Sequence, residues 1–412
     1  MKNFLAHTDE IRKQMLDEIS LASVDELFKQ IPVKFKDFSL YNPKSEMEAQ
    51  KEIKKLARKN KTEYANFLGG GVYNKFIPAC VNYVAQRFEF LTAYTPYQPE
   101  ISQGTLQIIY EYQTMISRLT GMDIANASMY DGGSACAEAI LMAHRIAKGK
   151  KNKALVSNLL NPEYKEVVKT YTWAQGIDVE WFDELPENTA DYCCVLVQYP
   201  DYFGEVRALV KPDTLFIVCA NLAALAIIKP PVEADIVVGD IQPLGVPMSF
   251  GGPHAGYMAC KEAYMRQLPG RLVGRTVDAD GEQAFTLTIQ TREQHIKREK
   301  ATSNICSNQS LVALSATLYL SLLGEKGFRE ASILSANMAH ALSKMLNGKG
   351  VRTMNKNFFN EFVVEVEDAD KYLTTLKEAD ILGGIKIDDR RVLVCATEMN
   401  TEDEILDYIE AL

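Results

Sequence analysis

Four small or polar residues, Asp131, Gly132, Gly133 and Ser134, form a turn directly before a segment that we expect to be helical. Backbone amides at the positively polarised start of a helix, with a hydroxyl beside them, could bind a phosphate group. The alternative is an ordinary helix cap, in which Asp131 or Ser134 satisfies those amides.

A second candidate phosphate contact follows the charged segment 292–300. Thr302, Ser303 and Asn304 offer hydroxyl, amide and backbone donors, which are the groups that bind a phosphate. The alternative is a charged surface turn in which Ser303 or Ser307 caps the following helix. The residues alone leave both interpretations open.

Tyrosines and prolines are interleaved in the segment 93–104. Prolines fix the backbone and aromatic rings form rigid walls, so Tyr94, Thr95, Tyr97 and Gln98 could line a small-ligand pocket or a subunit contact. The alternative is a stiff lead into the predicted helix 105–120, capped by Ser102.

The segment 234–260 has the layout of the lysine region of a pyridoxal-phosphate (PLP) enzyme: a buried strand, a loop, a Gly-rich turn and another strand. Such enzymes hold the cofactor aldehyde on a lysine as a Schiff base. Residues 240–247 read Asp-Ile-Gln-Pro-Leu-Gly-Val-Pro, without a lysine. The upstream strand, which should present a carboxylate to the pyridine nitrogen, ends in the neutral Asn221, and Lys229 and Lys261 are interpreted as surface lysines. We therefore expect that the chain cannot hold PLP itself. This expectation favours a helix cap over a phosphate site at residues 131–134.

Short apolar runs, partly β-branched, alternate with helical patterns from about residue 120 onward. This alternation predicts an α/β domain with a mostly parallel sheet that is buried on both faces. The predicted strands are 154–157, 177–182, 192–198, 215–220, 236–238 and 257–260.

Three domains are predicted from the change of pattern along the chain. Residues 1–65 are expected to form a helical, amphipathic arm, and residues 66–330 the large α/β domain. Long helical patterns that break near Gly324 lead into a small α+β domain over residues 331–412.

The composition limits the possible partners. The 412 residues are 47% hydrophobic and carry a net charge of −9, which indicates a globular protein and argues against a nucleic-acid surface. The eight cysteines and five histidines lack metal-ligand spacing, so no metal site is expected. Without a secretory signal or a membrane-spanning segment in the sequence pattern, we expect a cytoplasmic protein.

Five longer stretches together resemble one family, and the resemblance covers nearly the whole chain. The stretches are AYTPYQPEISQGTLQ, EYQTMISRLTGMDIANASMYDGGSACAEA, QPLGVPMSFGGPHAGY, PGRLVGRTVDADG and LTIQTREQHIKREKATSNICSNQ. They are similar to the alpha, or N-terminal-half, subunits of glycine dehydrogenase (decarboxylating), the P-protein of the glycine cleavage system. The chain departs from the family pattern at Lys75, where a histidine is usual.

The resemblance implies the aspartate aminotransferase-like fold of type I PLP-dependent transferases and a division of labour between two subunits. The beta subunit would carry PLP, and the alpha subunit, in a tetramer of two alpha and two beta chains, would complete its active site. Thr302, Ser303 and Asn304 would then contact the partner's PLP phosphate, and Tyr94, Thr95, Tyr97 and Gln98 would line the glycine pocket or the path of the lipoyl arm of H-protein. Residues 131–134 would be a vestigial phosphate loop.

Two alternatives remain open at this point. The chain could be a self-sufficient PLP enzyme that uses an unexpected lysine, or a non-catalytic member of the fold that binds a ligand or regulates a partner.

Overall fold

The computed structural model describes residues 7–31, 40, 42–91, 94–302, 305 and 308–412. The chain forms two compact units, Met1–Thr62 and Glu63–Leu412. The predicted division of the second unit near residue 330 stays a prediction.

The described residues of the first unit form two helices, α1 (Asp9–Glu18) and α2 (Glu46–Ala57), with a 3-10 turn at Val24–Phe28 between them. Helix α2 begins with a capping box, in which Ser45 and Glu48 satisfy each other's backbone amides. None of the residues in these helices is buried.

The second unit contains nine further helices and fifteen strands among the described residues. The helices are α3 (Ala79–Ala85), α4 (Phe88–Leu91), α5 (Gln103–Thr120), α6 (Gly132–Ile146), α7 (Pro162–Ala174), α8 (Gln294–Lys297), α9 (Ser310–Gly348), α10 (Ala369–Glu378) and α11 (Glu402–Glu410). The strands are β1 (Ala65–Asn66), β2 (Ile124–Ala125), β3 (Lys153–Ser157), β4 (Asp178–Phe182), β5 (Cys194–Tyr199), β6 (Leu215–Ala220), β7 (Ile236–Asp240), β8 (Gly256–Cys260), β9 (Leu272–Val277), β10 (Gln283–Thr288), β11 (Arg352–Thr353), β12 (Glu361–Glu365), β13 (Ile381–Leu382), β14 (Ile385–Lys386) and β15 (Arg391–Cys395).

A seven-stranded sheet in the order β2-β8-β7-β6-β5-β3-β4 forms the centre of this unit. The pairs from β4 to β7 are parallel. Strand β8 pairs antiparallel with both of its neighbours, β7 and β2. Successive residues of β6 point to opposite faces, so that Val218 packs into one buried cluster while Ile217 and Cys219 pack into the other. The predicted, mostly parallel sheet buried on both faces is confirmed. Its parallel strands all end at one edge, where ligand sites of such sheets lie.

Helix α9 bends at Gly324, whose φ of +61° and ψ of −177° are not helical. Its first half packs against the large sheet through residues such as Tyr319, and its second half packs into a separate cluster through residues such as Leu342. By length and composition alone α9 could cross a membrane. Its buried residues in both clusters are what a core helix requires.

The C-terminal part has an antiparallel sheet in the order β11-β12-β15-β14, with α10 and α11 packed on it. This agrees with the α+β pattern predicted for this part of the chain. Strand β1 pairs with β13, which places Ala65 beside Ile381 in the second unit. The β9–β10 hairpin was not predicted.

Candidate functional site

Polar side chains converge where the parallel strands end. Gln198 accepts a hydrogen bond from the amide of Asn161 (2.7 Å), and Asn221 accepts one from the amide of Ala223 (3.0 Å). Two adjacent cavities, of about 40 and 20 Å³, share Tyr73, Gln198 and Asn221 as walls. Spaces of this size hold a water molecule, whereas ligand pockets are about 300 Å³ or larger.

The segment 240–247, where PLP enzymes of this layout carry their lysine, is tightly packed. Leu244 is fully buried, and Gly245 has a φ of +76°. A Cβ atom at position 245 would lie 2.6 Å from the Cβ atom of Tyr319, so this position cannot take a larger side chain without moving that tyrosine. Of the two nearby lysines, Lys229 pairs with Glu233 (3.0 Å) and Lys261 with Asp235 (2.9 Å).

The turn 131–134 is a helix cap in this structure. Asp131 accepts a hydrogen bond from the amide of Ser134 (2.7 Å), and the Ser134 hydroxyl accepts one from the amide of Asp131 (3.1 Å). The amide of Gly132 donates to Oδ2 of Asp240 (3.2 Å), and Oδ1 of the same carboxylate accepts from the amide of Gln242 (2.7 Å). Burial raises the pKa of Asp240 to about 6. Carboxylates of this chain therefore occupy donors that a phosphate would need.

This pocket differs in three respects from one that would hold PLP. The phosphate donors at Gly132 and Ser134 are taken, the cavities are too small, and Asn221 carries no charge for a pyridinium. The ring of Tyr164 also covers the turn, because a Cβ atom at position 132 would lie 2.4 Å from its hydroxyl oxygen. No step of PLP chemistry is therefore assigned to this pocket.

A buried glutamate, which the sequence analysis did not single out, closes the pocket from the C-terminal sheet. Glu361 accepts hydrogen bonds from the hydroxyl of Tyr73 (2.6 Å) and the amide of Gly70 (2.5 Å). Burial raises the pKa of Glu361 to about 7. The run Gly69-Gly70-Gly71 is the sequence signal for this contact, because consecutive glycines let the backbone come close to a buried side chain such as Glu361.

Lys75 forms a buried ion pair. Its Nζ atom lies 2.6 Å from Oε2 of Glu398 and 2.8 Å from the hydroxyl of Ser335. Glu398 also accepts a hydrogen bond from the amide of Phe76 (3.0 Å). The pair thus joins the segment after the glycines to α9 and to the C-terminal part.

The predicted tyrosine segment lies at the surface. Tyr94 is 85% exposed and Tyr97 is 46% exposed; Gln98 is exposed and Thr95 half-buried. Ser102 stands at the N-cap of α5, although its side chain makes no capping hydrogen bond. We call Tyr94, Thr95, Tyr97 and Gln98 the rim.

The structure brings Tyr97 close to the charged segment before Thr302. The ring centroid of Tyr97 lies 5.0 Å from that of His295 and 5.6 Å from Cζ of Arg271. Thr302, half-buried, donates its amide to the carbonyl of Arg292 (3.0 Å). Ser303 and Asn304 lie outside the described residues.

Comparison with known proteins identifies the family. The sequence model described as "Glycine cleavage system P-protein" matches residues 2–412. This chain belongs to the glycine cleavage system P-protein family. The resemblance read from the sequence motifs is thereby confirmed.

Relatives of this P-protein chain agree in length and fold. It is 45% identical to the "Probable glycine dehydrogenase (decarboxylating) subunit 1" of Geobacillus thermodenitrificans, with 100% of this chain and 99% of the relative covered. It is 41% identical to a crystal structure of glycine decarboxylase (P-protein) of the glycine cleavage system in inhibitor-bound form, with a TM-score of 0.86 and 99% of each chain covered.

A more distant structure supports the fold alone. A C-DES mutant with glycine covalently linked to its PLP cofactor matches with a TM-score of 0.58 at 14% identity, over 85% of this chain and 96% of that one. The P-protein chain thus has the predicted type I PLP-transferase fold. Among the residues that the structure describes, no three His, Cys, Asp or Glu side chains come together as a metal site.

Proposed function

We propose that this P-protein chain is the alpha subunit of a glycine dehydrogenase (decarboxylating), and that it completes an active site whose PLP is held by a partner beta subunit. The observation that carries the proposal is the closed pocket. Asp240 occupies the amide of Gly132, and the ring of Tyr319 fills the space beside Gly245. A chain of this family that cannot hold the cofactor acts through a chain that can.

Exposed aromatic and aliphatic residues support a partner subunit. They are concentrated in a short part of the second unit, between the glycine run 69–71 and α5. A patch of exposed large apolar side chains is typical of a surface that another protein covers. The exposed residues are Phe76, Tyr83, Phe88, Leu91, Tyr94, Tyr97 and Ile101. Rigid aromatic side chains are typical anchors of protein interfaces. The rim lies within this surface, so a partner bound here would meet it directly.

In the proposed complex, the partner's PLP supplies the electron sink that lets glycine lose its carboxylate as carbon dioxide. The remaining aminomethyl group passes to the oxidised lipoyl arm of H-protein. The rim supplies hydroxyl and amide groups and aromatic walls that orient glycine and exclude water from it. Thr302, Ser303 and Asn304 donate to the phosphate of the partner's PLP. A tetramer of two alpha and two beta chains in the cytoplasm is part of the same proposal.

Co-expression with a lysine-bearing beta subunit of the family tests the proposal. We expect the two chains to co-purify and to exchange the glycine carboxyl group with labelled bicarbonate, an activity that neither chain has alone. Full exchange by the beta subunit alone would refute an active-site role and would favour a regulatory or ligand-binding role for this chain.

The double variant Thr302→Ala, Asn304→Ala tests the phosphate contact. Loss of the donors should weaken PLP retention by the assembled complex without unfolding this chain. The measurements are a PLP titration followed by visible absorbance and a melting curve of the isolated chain. Unchanged PLP affinity together with full activity would rule the contact out.

A further inference from the structure

Arg271 connects three segments that are distant in the sequence. It is 4% exposed and stands directly before β9. Its guanidinium donates to Oδ1 of Asn308 (3.2 Å) and to the hydroxyl of Tyr97 (3.4 Å). Its Nε atom lies 3.5 Å from Oε2 of Glu293, whose side chain is 7% exposed.

A parallel connection runs from Thr302 to the same place. The carbonyl of Arg292 accepts the Thr302 amide, and the Arg292 guanidinium donates to the carbonyl of Gly270 (3.1 Å). Gly270 directly precedes Arg271. Tyr97 and the approach to Thr302 are therefore both held at the chain segment Gly270–Arg271.

We propose that Arg271 and Glu293 are a positioning pair, which holds Tyr97 in a fixed place relative to the Thr302 segment so that both reach the partner's active site in register. This rests on the proposed function. The rigid, planar guanidinium fork suits the task, because it presents several donors in one plane and stays charged when buried.

Stability alone does not account for the pair. Removing two charges from water costs several kcal/mol, and apolar side chains of similar size often stabilise a protein as well or better. Oε1 of Glu293 is buried without a hydrogen-bond partner among the described residues, and burial raises the pKa of this carboxyl group. A pair selected for stability would satisfy that oxygen. A pair selected to hold Tyr97, which is nearly half exposed, need not do so.

The chain contains a matched control. The ion pair of Lys75 and Glu398 is equally buried, with side chains 3% and 7% exposed, but its hydrogen-bond partners are Ser335 and the amide of Phe76 rather than rim residues. Lys75→Met should therefore reproduce the destabilisation that follows loss of a buried cation without loosening the rim.

Hydrogen exchange in the isolated chain tests the positioning role without the cofactor. In Arg271→Gln we expect the amides of 94–102 and 298–302 to exchange about tenfold faster than in the wild type, while Lys75→Met leaves them within about twofold. Arg271→Lys, which keeps a cation opposite Glu293 but loses the fork, should lie between them. It also provides the test if the glutamine variant does not fold. Unchanged exchange in both Arg271 variants, or an equal increase in Lys75→Met, would overturn the proposal.

Kinetics of the assembled complex give the second readout. Arg271→Gln should raise KM for glycine about tenfold and change kcat by less than about threefold, because the displaced Tyr97 loses contacts that bind glycine equally in the ground state and the transition state. If the wild-type chain fails to assemble with a beta subunit, the proposed function fails while the exchange experiment still decides the positioning role. If the wild-type complex is active and Arg271→Gln keeps a normal KM, only the positioning role fails.

Discussion

Replacing Glu361 by glutamine should remove a pH dependence from the stability of this chain. The carboxylate is buried and accepts hydrogen bonds from the Tyr73 hydroxyl and the Gly70 amide. Glutamine has nearly the same shape: its carbonyl can accept from Gly70, and its amide can donate to the Tyr73 oxygen. The substitution therefore removes the ionisation and keeps both contacts.

The magnitude follows from the pKa of Glu361, which burial raises from 4.5 to about 7. Below about pH 4.5 the group is protonated in both the folded and the unfolded chain, so its ionisation has no effect on stability. Between these pKa values only the unfolded chain releases the proton, and the free energy of unfolding falls by about 1.4 kcal/mol per pH unit. Above about pH 7 the loss is complete, at about 3 kcal/mol.

Urea unfolding followed by circular dichroism measures this effect. The free energy of unfolding of Glu361→Gln minus that of the wild type should increase by about 2 kcal/mol from about pH 5.5 to about pH 7.5. Other buried carboxylates, including Asp240, titrate in both proteins and cancel in the difference. A flat difference would refute a buried, ionisable Glu361.

Three further substitutions test the packing of the closed pocket and its supports. Gly245→Ala should lower the free energy of unfolding by about 3 kcal/mol, because the new Cβ atom collides with Tyr319 and the φ of this position is positive. Gly281→Ala is the control: its φ is +85° but the space around it is open, so the loss should be about 1 kcal/mol. Equal losses in urea unfolding would contradict the packing around Gly245. Lys75→Met should lower the free energy of unfolding by about 3 to 5 kcal/mol, because the buried carboxylate of Glu398 loses its cation. Adding Glu398→Gln should restore part of this loss. A double variant that is no more stable than Lys75→Met would argue against the ion pair. Asp131→Ala should lower the melting midpoint by the equivalent of about 1 kcal/mol through loss of the α6 cap, and an unchanged midpoint would exclude that role.

Elements with a clear periodicity could be predicted from the sequence. The helix predicted over 105–120 is α5 (Gln103–Thr120). Six strands of the large sheet lie within a few residues of the predicted runs, because strands buried in a sheet of this kind are rich in apolar residues. Strand β2 has only two residues and shows no period. The outer half of β9 is exposed and carries Arg275, so this hairpin lacks the apolar run that marked the other strands.

The site was predictable where a residue type was decisive and not where contacts are distant in sequence. The missing lysine and the neutral Asn221 are visible in the sequence. The closure of the pocket by Glu361, and the support of Tyr97 by Arg271, join residues that are far apart in the chain. No local spacing predicts such contacts, since they depend on how the completed sheets and helices pack.

The ratio of PLP to protein in the purified complex of this chain with a beta subunit tests the central claim most directly. The closed pocket predicts one PLP for each pair of chains, and no visible absorbance band when PLP is added to this chain alone. Two PLP molecules for each pair, or a visible band with the isolated chain, would contradict the claim.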